Sequence, residues 1–166
     1  MNERRPMVAI IGGNQCTQEQ AEWAEEVGRG LATAGIDIIC GGRRGVMEAA
    51  CKGAFEVGGR TVGILPGITD GDANPYLTVV IPTSLGEARN IVVATAGEVV
   101  IAIAGSFGTM SEIAFALKRN KVVIGLDTWE ASTPDGVEAN ILRASTSDEA
   151  VTMAITAIEQ ARKTYG

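Results

Sequence analysis

Three short apolar runs in this chain each stop at glycine and give way at once to a helix pattern, and this alternation constrains the fold more than any other feature. Met7 to Ile11 ends in Gly12-Gly13, Ile36 to Cys40 in Gly41-Gly42, and Ile101 to Ala104 in Gly105-Ser106-Phe107-Gly108. Runs this short and this rich in β-branched residues read as strands buried on both faces. Buried strands alternating with helices imply a parallel sheet covered on both sides, an α/β, Rossmann-like fold. All three glycine turns then fall at the carboxyl edge of that sheet, where they can share one crevice.

The remaining segments fit the same plan. Helices are expected from about Gln18 to Ala34, with Ala21, Ala24, Val27 and Leu31 on the buried stripe, and from about Val46 to Val57. Thr61 to Leu65 makes a third strand, Pro66 to Pro75 a loop whose Asp70 and Asp72 serve the turns, and Thr78 to Ile81 a fourth strand. Leu85 to Ala96 reads as one helix. Its apolar stretch Ile91 to Ala94 suggests burial on more than one side, and so a homodimer or a dimer of dimers. Strands at Lys121 to Leu126 and Asn140 to Ala144 precede a last helix from about Ser147 to Lys163. With 166 residues and no linker or low-complexity tract, the whole chain, residues 1–166, is read as a single phosphate- or nucleotide-binding domain.

Composition removes several classes of function. A net charge of -6 with few aromatic residues argues against a nucleic-acid surface, which needs clustered Lys and Arg. Arg43-Arg44, following Gly41-Gly42, could still meet a single phosphate. The chain has no histidine and three cysteines, Cys16, Cys40 and Cys51, without metal-type spacing, so no metal ligands are assigned. The missing histidine also excludes Ser-His-Asp and Cys-His nucleophiles, leaving carboxylates, arginines and backbone amides for any chemistry. Met7 to Gly13 is too short for a signal-peptide core and no apolar run reaches membrane-spanning length; a cytoplasmic protein with reduced thiols is expected.

The turn at Gly105 is the candidate site. Its glycines allow a sharp bend and close approach to a ligand, and unpaired N–H groups at the start of the next helix, expected at Thr109, favour an anion such as phosphate. Glu112 lies one turn inside. A structural alternative stands beside this, because Thr109-x-x-Glu112 has the spacing of a capping box, as do Thr17-x-x-Gln20 and Thr146-x-x-Glu149. Gly42-x-x-Gly45-Val46-Met47 looks like Gly105-x-x-Gly108-Thr109-Met110. Neither is the dinucleotide fingerprint and neither ends in Gly-Lys-Ser/Thr.

Ala104-Gly105-Ser106-Phe107-Gly108-Thr109-Met110-Ser111-Glu112 resembles the Pro-Gly-Gly-x-Gly-Thr-x-x-Glu signature of the Lonely Guy proteins, phosphoribohydrolases of cytokinin nucleotides. Their superfamily includes proteins once labelled lysine decarboxylases and the molybdenum cofactor carrier proteins. Gly41-Gly42-Arg43-Arg44-Gly45-Val46-Met47 is similar to the first glycine-rich turn of that group, and Arg89 falls where the family has an arginine that works with the signature glutamate. Two positions depart from the signature, Ala104 for proline and Ser106 for glycine. Arg89-Asn90 and Asn74-Pro75-Tyr76 look more like the carrier branch. Decarboxylation does not fit, since it needs a lysine Schiff base to pyridoxal phosphate and Lys52, Lys118, Lys121 and Lys163 lie away from the glycine turns.

The resemblance implies a nucleotide-binding protein that cleaves nucleoside 5'-monophosphates to free base and ribose 5-phosphate. Glu112 would serve as carboxylate at the anomeric carbon and Arg89 would stabilise charge, no cofactor being required. Gly12, Gly13, Gly41, Gly42, Arg43, Gly105, Ser106, Phe107, Gly108 and Thr109 would bind the phosphate and nucleotide. Arg89 taken alone reads as an exposed helix residue paired with Glu87 or solvent, and the match in spacing to the family reverses that reading. The alternative function is a non-catalytic carrier that binds molybdenum cofactor, a phosphorylated pterin. A third reading treats every glycine turn as a plain connection between strand and helix.

Overall fold

The computed structural model describes residues 4–165; the charged start at residues 1–3 and Gly166 lie outside it. Seven strands form one parallel sheet in the order β4-β3-β2-β1-β5-β6-β7: β1 Met7–Gly12, β2 Asp37–Cys40, β3 Thr61–Leu65, β4 Val79–Pro82, β5 Val99–Ile103, β6 Val122–Leu126 and β7 Ile141–Arg143. Every strand that the glycine pattern indicates is present, within a residue or two of its expected ends. Two layers of helix cover the sheet. Alternate strand residues separate them: Val8, Ile10, Ile38, Ile101 and Ile124 pack with α1 (Gln18–Thr33), α2 (Val46–Glu56) and α5 (Ser147–Tyr165). Ala9, Ile11, Ile39, Val100 and Val123 face α3 (Asn90–Ala96) and α4 (Phe107–Lys118). Side chains alternate along a strand, so a sheet buried on both faces has no polar side, and the strands read as continuous apolar runs.

The chain runs outward from β1 to the edge strand β4, then returns to place β5 against the other side of β1, with Gly12 opposite Ile103. Connections leave β1 and β5 in opposite directions, so a crevice opens between their carboxyl ends. Two of the three glycine turns flank it, and the third, after β2, lies next to it.

Two helices begin elsewhere than the periodicity indicates. The single helix expected over Leu85 to Ala96 is a short 3-10 helix, Gly86–Arg89, followed by α3. Ser84 at φ 58° and Gly86 at φ 56° hold the chain out of helical geometry, while Thr83 and Gly86 donate their N–H groups to Leu65 and Pro66 carbonyls at the end of β3. Within α3, Val93 and Ala94 are buried in this chain's own core and Ile91 is exposed, so only Ile91 remains for a partner. The other correction concerns α4, which starts at Phe107 with Ser106 as its cap, not at Thr109. Thr109 Oγ1 accepts the Ser106 N–H at 3.3 Å, so Thr109-x-x-Glu112 is no capping box, and Gly108 is helical rather than part of the turn. The box at Thr17 forms with Gln20, and Glu149 donates its N–H to Thr146 Oγ1. Among the described residues, no helix is long and apolar enough to cross a membrane.

Helices α1 and α2 meet backbone to backbone. A Cβ on Gly28 would lie 2.0 Å from the Ala50 carbonyl oxygen, and one on Gly53 would lie 1.9 Å from that of Glu25. No side-chain rotation relieves either clash, because the obstructing atoms are main chain. Gly28→Ala or Gly53→Ala should each cost about 1–3 kcal/mol of stability as an overpacked interface. Thermal unfolding followed by circular dichroism should show a drop on the order of 5 °C for each; an unchanged midpoint would refute this packing.

Candidate functional site

At the carboxyl edge of the sheet, β1, β2 and β5 and the segment before α3 converge on a cleft of about 160 Å³. Gly12, Arg43, Arg89, Ser106, Gly108, Thr109 and Glu112 line it, so seven residues singled out from sequence meet there although they are spread over 100 positions of chain. Arg89 ends the 3-10 helix and is 7% exposed, which excludes the solvated surface arginine paired with Glu87. Its Nη1 lies 3.7 Å from Glu112 Oε1. Its Nε has no hydrogen-bond partner among the described residues.

The buried cation occupies a slot that the sequence provides. A Cβ on Gly41 would lie 2.4 Å from Arg89 Nη1, so any larger residue at 41 would push the guanidinium aside. Beneath the same turn the Cys40 and Cys51 thiols touch at 3.5 Å, and Cys40 Sγ accepts the Gly42 N–H. Gly42 itself, at φ 74°, packs on Gly63 and Leu65 and lies outside the cleft. Arg43 reaches the cleft from that turn, and among the described residues its carboxylate partner is Asp72 at 3.9 Å on the surface, a pairing too exposed to hold it.

Glu112 is 6% exposed, and burial pushes its carboxyl up to about 8 against the opposing pull of the Arg89 charge. The 3.7 Å separation would qualify as an ion pair, but a contact that long in a site this dry does not offset the loss of water. Burial therefore favours the neutral acid, which can donate a hydrogen bond, far more than it would be favoured in an exposed carboxyl. Burial also pulls the Arg89 guanidinium down, with Glu112 opposing, yet an arginine stays charged. The cleft thus holds two arginines, Arg43 and Arg89, beside a carboxyl whose burial favours its neutral form, and the Glu87 side chain also lines it.

The turn from β5 into α4 places Ala104 at φ 50° and Gly105 at φ 114°. The first is a conformation closed to proline, whose ring fixes φ near −65°. Ala104 also donates its N–H to Leu126 O, which a proline could not do. Ser106, by contrast, is extended at φ -118°, so the serine adds no backbone strain where the signature has glycine. Gly105 is required by packing, since a Cβ there would strike the Thr109 side chain at 2.5 Å. Among the described residues a Cβ on Gly108 would meet only Asn90 Nδ2, at 3.9 Å, so their packing does not demand that glycine. The two turns that look alike in sequence also differ: Gly42 and Gly45 both have positive φ, whereas Gly108 is helical.

Some expected residues stand apart from the cleft. Phe107 is 82% exposed and leans on Trp129, whose indole N–H donates to Ser106 O. Gly13 and Gly105 lie just beyond the Asn14–Ser106 rim, and Gly41 contributes only the slot. Asn14, Met47, Pro66 and Glu87 line the cleft and were not among the binding residues expected from sequence, Met47 entering only as part of a glycine-turn motif. Asn14 directly follows Gly12-Gly13, the one signal that could have found it. Asn90 also lines the cleft, donating from Nδ2 to Ser111 Oγ at 3.1 Å. Among the described residues, no group of acidic and cysteine side chains is placed to hold a metal ion.

Known proteins with this architecture narrow the context. The chain resembles the molybdenum cofactor binding protein of Rippkaea orientalis, with 32% identity over 95% of this chain and 99% of the other and a TM-score of 0.86. It resembles the molybdenum cofactor carrier protein of Chlamydomonas reinhardtii with 31% identity, coverage of 94% and 99%, and a TM-score of 0.79. An uncharacterized protein of Archaeoglobus fulgidus is 40% identical over 119 residues, 72% of this chain and 78% of its own length. A family model matches residues 5–162, and on that match, which spans both the cleft and the sheet that builds it, the chain belongs to the SLOG cluster4 family.

Proposed function

We propose that this protein binds a phosphorylated pterin of the molybdenum cofactor type and holds it without turnover. The observation that carries the reading is the buried Arg89, its Nε without a partner among the described residues, 3.7 Å from the buried Glu112 in the second turn of α4. The first N–H groups of a helix have no partner within it and attract an anion, and an arginine adds a fixed positive charge. Gly108, which packing does not require, leaves room for a phosphate to approach those amides. The likeness to molybdenum cofactor binding and carrier proteins over nearly the whole chain supports the same cargo. Arg89, Arg43 and the amides of α4 would hold the phosphate, with Glu112 donating a hydrogen bond. A cytoplasmic setting suits three free cysteines.

The second reading, a phosphoribohydrolase of nucleoside monophosphates, is favoured by Arg89 and Glu112 meeting in one cleft. It needs the ionised carboxylate, which the burial of Glu112 disfavours. The two readings separate cleanly. A carrier should retain pterin from a molybdoenzyme extract through gel filtration, chemically intact, and Glu112→Gln should bind as wild type. Arg89→Ala should weaken binding roughly 10- to 100-fold, the loss of hydrogen bonds to a charged group. Release of free base from AMP or GMP, abolished by Glu112→Gln, would instead establish the hydrolase and overturn the carrier.

The carboxyl also fixes the sign of a pH effect. As pH rises through about 8, Glu112 loses its proton and adds a negative charge to a lining that already includes Glu87, and that charge repels the ligand. Affinity for a phosphate ligand should therefore fall as pH rises from 7 to 9, a range in which the ligand phosphate is already dianionic, and Glu112→Gln should flatten the profile. A wild-type profile as flat as the variant's would contradict a protonated Glu112.

Leu85 and Ile91 are exposed apolar residues just before and at the start of α3, and we assign them to a homodimer or dimer-of-dimers contact. Light scattering at micromolar concentration should give a mass at least twice that of the chain, and Ile91→Asp should halve it. A wild-type monomer would rule this out.

A further inference from the structure

The charged cleft is too small for a complete nucleotide or pterin phosphate: at about 160 Å³ it falls below the roughly 300–1,000 Å³ of sites for small organic ligands. Its rim is formed by Asn14 and Ser106. Both residues also line a second cavity of about 400 Å³, bounded further by Gly13, Gln15, Gln20 and Ala104. The two volumes therefore adjoin across a shared saddle, and together they reach the size a ligand of this class needs.

Their chemistry differs. No Asp, Glu, Lys or Arg side chain lines the second cavity; its polar side chains are amides and the Ser106 hydroxyl. Asn14 Oδ1 accepts the Arg44 N–H at 3.1 Å, which leaves both Nδ2 hydrogens without a partner among the described residues, and the Gln15 amide makes no hydrogen bond. Gln20 is held in place, accepting from Thr17 N–H and donating to Asp127 Oδ2 at 3.1 Å. The wall behind is strained: Ala104 and Asp127 both have positive φ, and Ala104 bonds to Leu126 and Thr128 around the end of β6. Residues held so are characteristic of ligand sites, where the surroundings over-determine the backbone.

We infer that the second cavity takes the planar, uncharged end of the ligand whose phosphate occupies the charged cleft, with the Asn14 and Gln15 amides reading a heterocycle that offers both N–H donors and carbonyl or ring-nitrogen acceptors. This rests on the anion-cleft reading above and extends it to the ligand's other end. A side-chain amide carries a donor and an acceptor side by side, the complement of such a ring edge in a purine or a pterin. A second phosphate is disfavoured, because no cation lines this cavity and the Asp127 carboxylate stands behind Gln20. The ligand class is thus a purine or pterin monophosphate, not a dinucleotide or a bisphosphate that bridges the saddle.

Calorimetric titration of ribose 5-phosphate and GMP tests this, with wild type, Gln15→Ala and Gln15→Trp. Gln15 is exposed and lies in a loop, so neither variant threatens the fold. Wild type should bind GMP more tightly than ribose 5-phosphate, on the order of tenfold or more for ring contacts of this kind. Gln15→Ala should lose several-fold of that advantage. Gln15→Trp, which fills the cavity, should abolish it, both variants binding ribose 5-phosphate as wild type does. Equal wild-type affinity for the two ligands, or an advantage that survives both variants while ribose 5-phosphate still binds, would overturn the inference and leave the anion cleft standing. Failure of wild type to bind ribose 5-phosphate at all would remove the cleft reading and this one with it.

Discussion

Strand β1 lies at the centre of the sheet, wedged between β2 and β5 with helices on both of its faces, and the rest of the molecule depends on that confinement. Val8, Ala9 and Ile10 are wholly buried. A backbone taken so far from water must have its hydrogen bonds met by neighbouring strands, and two parallel neighbours provide them. The chain must therefore leave β1 on one side and later return on the other, and the crevice at their carboxyl ends follows from topology. No residue in the crevice is needed to create it. The chemistry is set by what the turns then place there.

The fold was legible because strands buried on both faces leave an unmistakable trace in sequence. Runs such as Ile101 to Ala104, closed by glycine and followed by a 3.6-residue period, have few alternatives. Helix starts were less legible. The segment before α3 looks helical from Leu85 onward, and what stops it is tertiary: Ser84 and Gly86 take up positive φ while their neighbours are tied to the end of β3. No local pattern encodes a hydrogen bond to a residue some twenty positions away. The start of α4 was misplaced for a related reason, since Thr109 and Glu112 match a capping box in spacing although Thr109 serves Ser106.

In the site, identity was easier to read than environment. The glycines, Arg89 and Glu112 could be picked out by type and spacing, whereas burial decides what they do. A carboxyl one turn into a helix is ordinarily ionised; here burial raises its affinity for the proton, so a residue that looks like a base in sequence is pushed towards an acid in place. Gly41 gives a second example. Its sequence suggests backbone freedom, yet its part in the site is the room it yields to the Arg89 guanidinium. Asn14 was missed because its importance comes from lying between two cavities, a relation that exists only once β1 and β5 are side by side.

The positive φ of Ala104 bears on how such a loop can change by mutation. Its N–H is bonded to Leu126 and its carbonyl accepts the Thr128 hydroxyl, so the turn is fastened at both ends to the strand next door. Replacing the alanine with the proline of the related signature would forbid the dihedral and leave the Leu126 carbonyl without its donor. A proline at 104 would therefore demand a differently shaped turn and a new donor for Leu126, so the shape of this loop is set as much by the end of β6 as by its own residues.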